Sequence, residues 1–185
     1  MNTAHTKKLY LMLDFDGVLH HRDAASRELK PRDIASLDIM TEDERRFIDN
    51  EGRLIVGKNL FCHADRMART LRPFPDVKIV ISSTWRNHFD LDRLKGFLPS
   101  LADRIIGDLP PVFSRDRAFL RSREIAAYFK LCDSVDWLAL DDTANLFFDY
   151  AQNPNLFLVD GERGFDDVAA LSLAARLKDF FAKLN

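Results

Sequence analysis

Two apolar segments of the sequence each end in a pair of carboxylates. Asp14 and Asp16 follow the run LYLML, and Asp141 and Asp142 follow the run WLAL. On an extended strand, side chains two positions apart point to the same side, so Asp14 and Asp16 would face one site. Carboxylates this close repel each other unless a cation is present, and Mg²⁺ is a hard cation that prefers oxygen ligands. The two pairs therefore predict one magnesium site, with Gly17 allowing a sharp turn beside it.

A third apolar run, VKIVI, ends in hydroxyl groups. Ser82 is the first polar residue after it, and its hydroxyl, with the backbone N–H groups that follow at Ser83 and beyond, can donate to a phosphoryl oxygen. Arg86 lies just beyond and is long enough to reach a phosphate. Arg121 and Arg123 lie where the helix before WLAL begins, and one of them could direct a fixed positive charge at the same site. A strand-terminating serine and solvated arginines are the ordinary alternatives.

Strand-like and helix-like patterns alternate along the chain. Near-continuous apolar runs, which are typical of strands covered on both faces, predict strands over 9–13, 77–81, 137–140 and 156–159 and a short fifth strand around Ile105. Strands that alternate with helices indicate right-handed crossovers and a parallel sheet. Ligands of such folds bind beyond the carboxyl ends of the strands, which is where Asp14 and Asp16 would lie.

Helical periods separate these strands. Apolar side chains recur at helical spacing over 59–71, over 123–132 and in the C-terminal stretch, which we expect to begin at Asp166 or Asp167 as N-cap. The expected apolar stripe of the C-terminal helix consists of Val168, Leu171, Ala175, Leu177, Phe181 and Leu184. A capping-box pattern in TEDERRFIDNEG predicts a further short helix over 41–52.

The composition is that of one soluble domain. The chain has 185 residues, 46% of them apolar, and its net charge of −2 gives no global attraction to nucleic acid or to an anionic membrane, although a local basic patch is compatible with it. Cys62 and Cys132 are expected to be buried free thiols, because small secreted domains carry more cysteines. No apolar run approaches the ~20 residues of a membrane span or suits a signal peptide. We therefore expect a cytoplasmic protein without a membrane partner.

In the order of its motifs the sequence resembles the haloacid dehalogenase (HAD) superfamily of phosphohydrolases. DFDGVL, a strand-end serine, a basic residue that opens a helix, and LALDD follow one another between Leu9 and about Val159. The resemblance implies an α/β fold, a Rossmann-like three-layer α/β/α sandwich whose parallel sheet has about five strands, with the Asp14 strand at its centre. It also implies Mg²⁺ as the cofactor and a phosphorylated substrate.

The resemblance assigns a role to each motif. Asp14 is the nucleophile that forms an aspartyl-phosphate, and Asp16 protonates the leaving oxygen and then activates water. Ser82 corresponds to the second motif, with Ser83 as the adjacent alternative. The third motif is usually a lysine, and here Arg121, or alternatively Arg123, would take its place. Dehalogenases and ATPases of the superfamily usually lack an acid at the second position of the first motif, so the acid found there favours phosphatase chemistry.

The resemblance also assigns metal ligands and substrate contacts. Asp141 is expected to bind Mg²⁺ beside Asp14 and the backbone carbonyl of Asp16. Asp142 is a further ligand or supports the ligands. The residues expected at the substrate phosphate are Gly17, Ser83 and Arg86.

The segment between the first two motifs bears on the substrate. We expect a single domain over 1–185 in which residues 20–57 form a small flap, with no large cap domain. A site this open would admit a large substrate, such as a nucleic-acid end or a phosphoprotein, as well as small phosphoesters. SSTWR, residues 82–86, resembles the phosphatase domains of RNA-repair proteins. We interpret His20 and His21 as flap residues without a catalytic role, contact with the leaving group being the alternative.

Together these features predict Mg²⁺-dependent hydrolysis of phosphomonoesters. One alternative is a phosphotransferase of the same superfamily, which passes the phosphoryl group to an acceptor other than water. Another is a degenerate HAD-like binding domain without turnover. A receiver-like signalling module is disfavoured, because its nucleophile would not lie in a D-x-D motif on the first strand.

Overall fold

A five-stranded parallel sheet lies at the centre of the fold. The computed structural model describes residues 8–22, 24, 46–48, 54–56, 60–112, 118–130 and 135–183. In chain order the strands of these segments are β1 (Leu9–Leu13), β2 (Arg46–Ile48), β3 (Leu54–Val56), β4 (Val77–Ile81), β5 (Ile105–Asp108), β6 (Asp136–Asp141) and β7 (Leu156–Leu158). The sheet has the order β5-β4-β1-β6-β7 with parallel neighbours, and β2 and β3 form a separate antiparallel pair. The five predicted strands and the central position of β1 are confirmed.

The register of the central strands brings three sequence motifs to one edge of the sheet. β1 pairs with both β4 and β6 along its full length. The backbone N–H of Ser82 donates to the carbonyl of Leu13 over 2.9 Å, and that of Asp14 donates to the carbonyl of Leu140 over 3.1 Å. Because the strands are parallel, Asp14, Ser82 and Asp141 lie side by side at the carboxyl ends.

Helices cover both faces of the sheet. They are α1 (Ala64–Leu71), α2 (Leu91–Phe97), α3 (Leu120–Tyr128) and α4 (Asp167–Ala182). Leu11 and Leu13 of β1 lie in an apolar cluster with residues of α1, α2 and α4, whereas Met12 lies in a second cluster with Ile125 of α3. The predicted three-layer α/β/α arrangement is therefore confirmed. None of the helices in the described segments has both the length and the apolar character of a membrane span.

Helix α4 begins where the sequence predicts but buries a partly different set of side chains. Asp166 is its N-cap and accepts a hydrogen bond from a backbone N–H of the first turn over 2.9 Å. Leu173 and Leu177, one turn apart, are fully buried, whereas Val168 and Leu171 are 62% and 74% exposed. The predicted stripe is right at Leu177 and at Phe181, which packs against the core, but wrong at Val168 and Leu171. Apolar residues occupy nearly every position of VAALSLAARL, so the hydrophobic pattern there fits more than one helix face.

Two further expectations are corrected by the structure. Arg46–Ile48, inside the helix predicted over 41–52, form a strand paired with Leu54–Val56. Pairing with a neighbouring strand outweighs the local capping pattern there. Cys62 is a free thiol, as expected, but it is exposed and not buried. Outside the described residues lie the remainder of 41–52, Cys132 and Leu184.

Candidate active site

Three carboxylates from the ends of β1 and β6 meet at the carboxyl edge of the sheet. Oxygens of Asp14, Asp141 and Asp142 all lie within 4.8 Å of one another. Asp14 is 8% exposed and Asp141 is 1% exposed, so both carboxylates are largely removed from water. One carboxylate of the first acid pair and both carboxylates of the second thus meet in one small space.

Burial opposes the ionised forms of Asp14 and Asp141. Burial, and next the charge of Asp141, raise the pKa of Asp14 well above its usual value of 3.8. Burial raises the pKa of Asp141 from 3.8 to about 6, although Arg121 and the backbone N–H of Thr143 lower it. A divalent cation among these oxygens would remove the repulsion, and carboxylate oxygens are the donors that Mg²⁺ prefers. The residues present therefore fit the predicted metal.

Arg121, near the start of α3, directs its guanidinium at this acid cluster. Its Nε lies 3.4 Å from Asp141 Oδ2, and its Nη2 lies 3.9 Å from Asp14 Oδ1. Although burial opposes the charged form, the neighbouring carboxylates raise the pKa of Arg121, which keeps it a cation. Arg123 points elsewhere, since its Nη2 donates to the carbonyl of Ala118 over 2.6 Å. Of the two arginines that the sequence leaves open, Arg121 is the one at the site.

Glu124 is buried between two arginines. It accepts hydrogen bonds from Arg121 Nη1 over 2.7 Å and from Arg86 Nη2 over 2.5 Å. Arg86 also donates through Nη1 to the carbonyls of Ser82 and Ser83 over 2.5 and 2.7 Å, and through Nε to the carbonyl that follows β5 over 2.9 Å. With these donors engaged, Arg86 holds the serine loop in place, which differs from the phosphate contact that the sequence predicts.

The two serines of this loop have different surroundings. Both are buried at the end of β4. Ser83 Oγ accepts a hydrogen bond from the backbone N–H of Trp85 over 3.4 Å and so caps a short 3₁₀ helix, Thr84–Asn87. Ser82 is the serine that directly follows β4, on the strand next to that of Asp14. Its hydroxyl contact with a phosphate stays a prediction.

Both oxygens of Asp16 are held by ring N–H groups. Trp85 Nε1 donates to Oδ2, and His20 Nε2 bonds Oδ1, each over 3.0 Å. His20 is fully buried, and its Nδ1 accepts from the backbone N–H of Phe61 over 3.3 Å. With Nδ1 as acceptor, the neutral imidazole carries its proton on Nε2 and donates it to Asp16. His20 therefore contacts the predicted acid and base, and its interpretation as a residue without a catalytic role stays a prediction.

The orientation of Asp16 separates it from the other three acids. Its carboxylate turns toward the two rings, and the cluster of three oxygens consists of Asp14, Asp141 and Asp142 instead. This placement suits the predicted acid and base better than a carboxylate ligand. Metal binding through the backbone carbonyl of Asp16 stays a prediction.

Gly17 and Gly161 make room for Asp142. Gly17 has a φ of +71°, and a Cβ there would lie 1.9 Å from Asp142 Oδ2, while a Cβ on Gly161 would lie 2.3 Å from the same oxygen. Arg22 Nε donates to that oxygen over 2.6 Å, and the Thr143 hydroxyl donates to Oδ1 over 2.7 Å. The loop after β7, which carries Gly161, therefore lies against the site, and both positions require glycine.

Sequence reasoning missed several residues that hold the site together. The ion pair of Glu124 could have been predicted from the sequence, since Glu124 follows Arg121 by three positions, the spacing at which opposite charges pair on a helix. Trp85, Arg22 and the role of His20 have no such signal. Each is defined by a contact that the fold creates.

Comparison with known proteins gives one match. Residues 10–170 match the family described as the HAD domain in Swiss Army Knife RNA repair proteins. That span contains every residue of the site described above. No curated protein and no solved structure matches the chain.

Proposed function

The chain belongs to the HAD superfamily, in the family of HAD domains of Swiss Army Knife RNA repair proteins, and we propose that it is a metal-dependent phosphomonoester hydrolase. The observation that carries this proposal is the meeting of Asp14, Asp141 and Asp142 with the Arg121 guanidinium at one edge of the sheet. A carboxylate nucleophile, further carboxylates for a cation and a fixed positive charge are what phosphoryl transfer needs.

The proposed reaction has two displacements at phosphorus. An oxygen of Asp14 attacks the phosphorus, the bond to the leaving oxygen breaks, and that oxygen takes a proton from Asp16. The phosphoryl group stays on Asp14 as an aspartyl-phosphate. Asp16 then removes a proton from a water molecule whose oxygen attacks the phosphorus, which releases inorganic phosphate and restores the Asp14 carboxylate. A covalent nucleophile replaces one hard step by two easier ones, and a positioned acid contributes about 10²–10⁴-fold.

Two positive groups would offset the negative charge on the phosphoryl group. Mg²⁺ held by Asp14, Asp141 and Asp142 would supply Lewis-acid stabilisation of the phosphoryl oxygens. Arg121 adds a cation that Glu124 already fixes, so it needs little rearrangement as charge develops.

We propose a phosphorylated nucleic-acid end as the substrate. The support is the family description, which names RNA repair proteins. Phosphate release from 3′- and 5′-phosphorylated oligonucleotides, phosphopeptides and sugar phosphates should give the highest kcat/KM for an oligonucleotide end. If a phosphopeptide or a small phosphoester gave the highest kcat/KM instead, the assignment of a nucleic-acid end as the substrate would be wrong.

Phosphate release from p-nitrophenyl phosphate, with and without Mg²⁺, tests the hydrolase proposal. The wild type should require the divalent cation. Asp14→Asn should lose all measurable turnover while its thermal unfolding stays cooperative, because the amide is a poor nucleophile. Asp103→Asn, which changes an exposed carboxylate on a distant 3₁₀ turn, is the matched control and should keep the wild-type rate. Near-normal turnover by Asp14→Asn would overturn the assignment of the nucleophile.

The same assay separates hydrolysis from phosphotransfer. A hydrolase releases one inorganic phosphate for each p-nitrophenolate in the presence of an added alcohol. A phosphotransferase would release less phosphate and form the phosphorylated alcohol.

A further inference from the structure

Two phenylalanines stack on each other at the surface of the protein. The ring centroids of Phe119 and Phe148 are 4.5 Å apart, with 25° between the ring planes. Phe119 is 38% exposed and Phe148 is 49% exposed, and Tyr150, in the same turn as Phe148, is 52% exposed. A group of large aromatic side chains open to water indicates a surface that contacts something else.

The Phe119–Phe148 pair belongs to the two segments that carry Asp141, Asp142 and Arg121. Phe119 precedes Arg121 by two positions, at the start of α3, and Phe148 lies in the loop that follows Asp141 at the end of β6. Consecutive Cα atoms are about 3.8 Å apart, so the Cα atoms of Phe119 and Arg121 lie within about 8 Å of each other. The backbone under the pair is therefore close in sequence to Arg121 on one side and to Asp142 on the other, and Phe119 contacts Asn145, three residues after Asp142.

Hydrogen bonds fix the pair to these elements. The backbone N–H of Phe119 donates to the carbonyl of Asn145 over 3.1 Å, and that of Phe148 donates to Ser122 Oγ over 3.0 Å. Phe119 also has a φ of +56°, in the left-handed region that bulky residues rarely adopt. Such conformations persist where the surrounding structure imposes them, and they cluster at ligand sites. The backbone that carries both rings is thus held in place on an exposed surface.

We propose that the Phe119–Phe148 pair is a stacking platform for the nucleobase of the terminal nucleotide whose phosphate lies at Asp14. This inference rests on the proposed function and adds to it the group that the protein recognises beside the phosphate. Single-stranded nucleic acids are commonly bound by stacking of splayed bases on aromatic side chains. Because every base has a π-face, this platform should tolerate different terminal bases.

The test compares oligonucleotides that differ only in the terminal base. Each ends in the same phosphate, at the 3′ or the 5′ end, on either an intact nucleotide or an abasic one, in RNA and in DNA. Wild type should prefer the intact end by about 5- to 150-fold in kcat/KM for at least one polarity. Phe148→Leu, which keeps apolar volume but has no π-face, should bring this ratio close to one. Phe148→Tyr should retain it, and so should Leu171→Ala, a control on exposed apolar surface of α4.

A binding measurement separates this inference from the proposed function. Asp14→Asn protein is titrated with the intact and abasic phosphorylated oligonucleotides, and the ratio of Kd values is compared with that of the Asp14→Asn, Phe148→Leu double variant. If no substrate is turned over but the Kd ratio depends on Phe148, the hydrolase proposal fails and the platform stands. A ratio near one in the parent protein, or an unchanged ratio in the Phe148→Leu variants, would overturn the platform.

Discussion

His20 and Asp16 are joined by a hydrogen bond of 3.0 Å inside a cage of aromatic rings. The imidazole packs edge-on against Phe61, with 5.1 Å between ring centroids, and its centroid lies 5.9 Å from that of Trp85. Because the backbone N–H of Phe61 fixes the tautomer, the imidazole presents Asp16 with a donor in a fixed position. His20 is therefore a positioning residue for the proposed acid and base.

Replacing His20 should slow catalysis most when the leaving group most needs a proton. For His20→Ala we expect kcat to fall about 10- to 100-fold toward a phosphate ester of an aliphatic alcohol, because a misaligned Asp16 loses part of its contribution to acid catalysis. The fall should be much smaller with p-nitrophenyl phosphate, whose anion leaves without a proton. KM should change little, since His20 lies behind Asp16. Steady-state kinetics on the two esters measures the difference.

The conservative variant distinguishes positioning from space filling. His20→Gln places an amide N–H close to the position of Nε2 and should recover part of the lost rate. Equal losses of kcat with both esters would show that His20 only fills the cage.

The acid cluster should make the metal-free protein less stable as the pH rises. Because the pKa of Asp141 is raised from 3.8 to about 6, the folded chain binds more protons than the unfolded chain between these values. The contribution of this carboxyl to the free energy of unfolding therefore falls as the pH rises through that window. Asp141→Asn cannot ionise, so at neutral pH with a chelator it should be more stable than wild type by on the order of 1–3 kcal/mol. Urea unfolding near pH 4 and near pH 7 should show this advantage only at the higher pH.

Divalent metal should remove most or all of the stability advantage of Asp141→Asn over the wild type. Mg²⁺ at 100 times its Kd adds about 2.7 kcal/mol to the folded state, which corresponds to roughly 5–10 °C in Tm for a chain of this size. Asp141→Asn lacks one of the three carboxylates and should gain little. Calorimetry with Mg²⁺ and with chelator gives both values. A wild-type Tm that is the same with Mg²⁺ as with chelator would contradict the metal site.

The features that the sequence predicts best are encoded in short segments. LYLML, VKIVI and WLAL are apolar except for Lys78 and end at polar residues, so each strand can be recognised from its own residues. Parallel pairing then places Asp14, Ser82 and Asp141 at one edge without any further information. The strands and the acids at their carboxyl ends could be predicted for this reason, whereas the central position of the Asp14 strand was implied by the family resemblance.

The features that the sequence does not predict depend on contacts between distant segments. His20 resembles an ordinary flap residue because its cage comes from residues far along the chain. Arg86 resembles a phosphate contact because its partner Glu124 lies 38 positions away. Helix α2 has a local N-cap, Asp90, but its seven residues are too few to show a clear period.

Glu124 should be required for both stability and turnover. Burial, and next the charge of Arg121, lower the pKa of Arg86, and Glu124 opposes both effects. Removing this charge leaves two buried arginines without their shared partner, so Glu124→Gln should lower the free energy of unfolding by about 3–5 kcal/mol, the usual cost of breaking a buried pair. It should also lower kcat, because Arg121 loses the contact that aims it at Asp14.

An exposed acid is the control for Glu124. Glu162 bonds His21 over 2.7 Å, and its side chain is 65% exposed. Glu162→Gln should change the free energy of unfolding by less than about 1 kcal/mol. Urea unfolding and p-nitrophenyl phosphate kinetics on the two variants give the comparison, and similar small effects would mean that Glu124 does not organise the arginines.

Gly17→Ala should damage the site through Asp142. A Cβ at this position would lie 1.9 Å from Asp142 Oδ2, and the φ of +71° disfavours any side chain by about 1–2 kcal/mol. Asp142 must therefore move, and we expect a lower Tm, a lower kcat and a higher Mg²⁺ concentration at half-maximal rate. Gly96→Ala is the matched control, because a Cβ there meets nothing within 4 Å and alanine favours helix α2 by about 0.5–1 kcal/mol. If Gly17→Ala kept the wild-type Mg²⁺ requirement and rate, the position of Asp142 would have no bearing on metal binding, and the cation would depend on Asp14 and Asp141 alone.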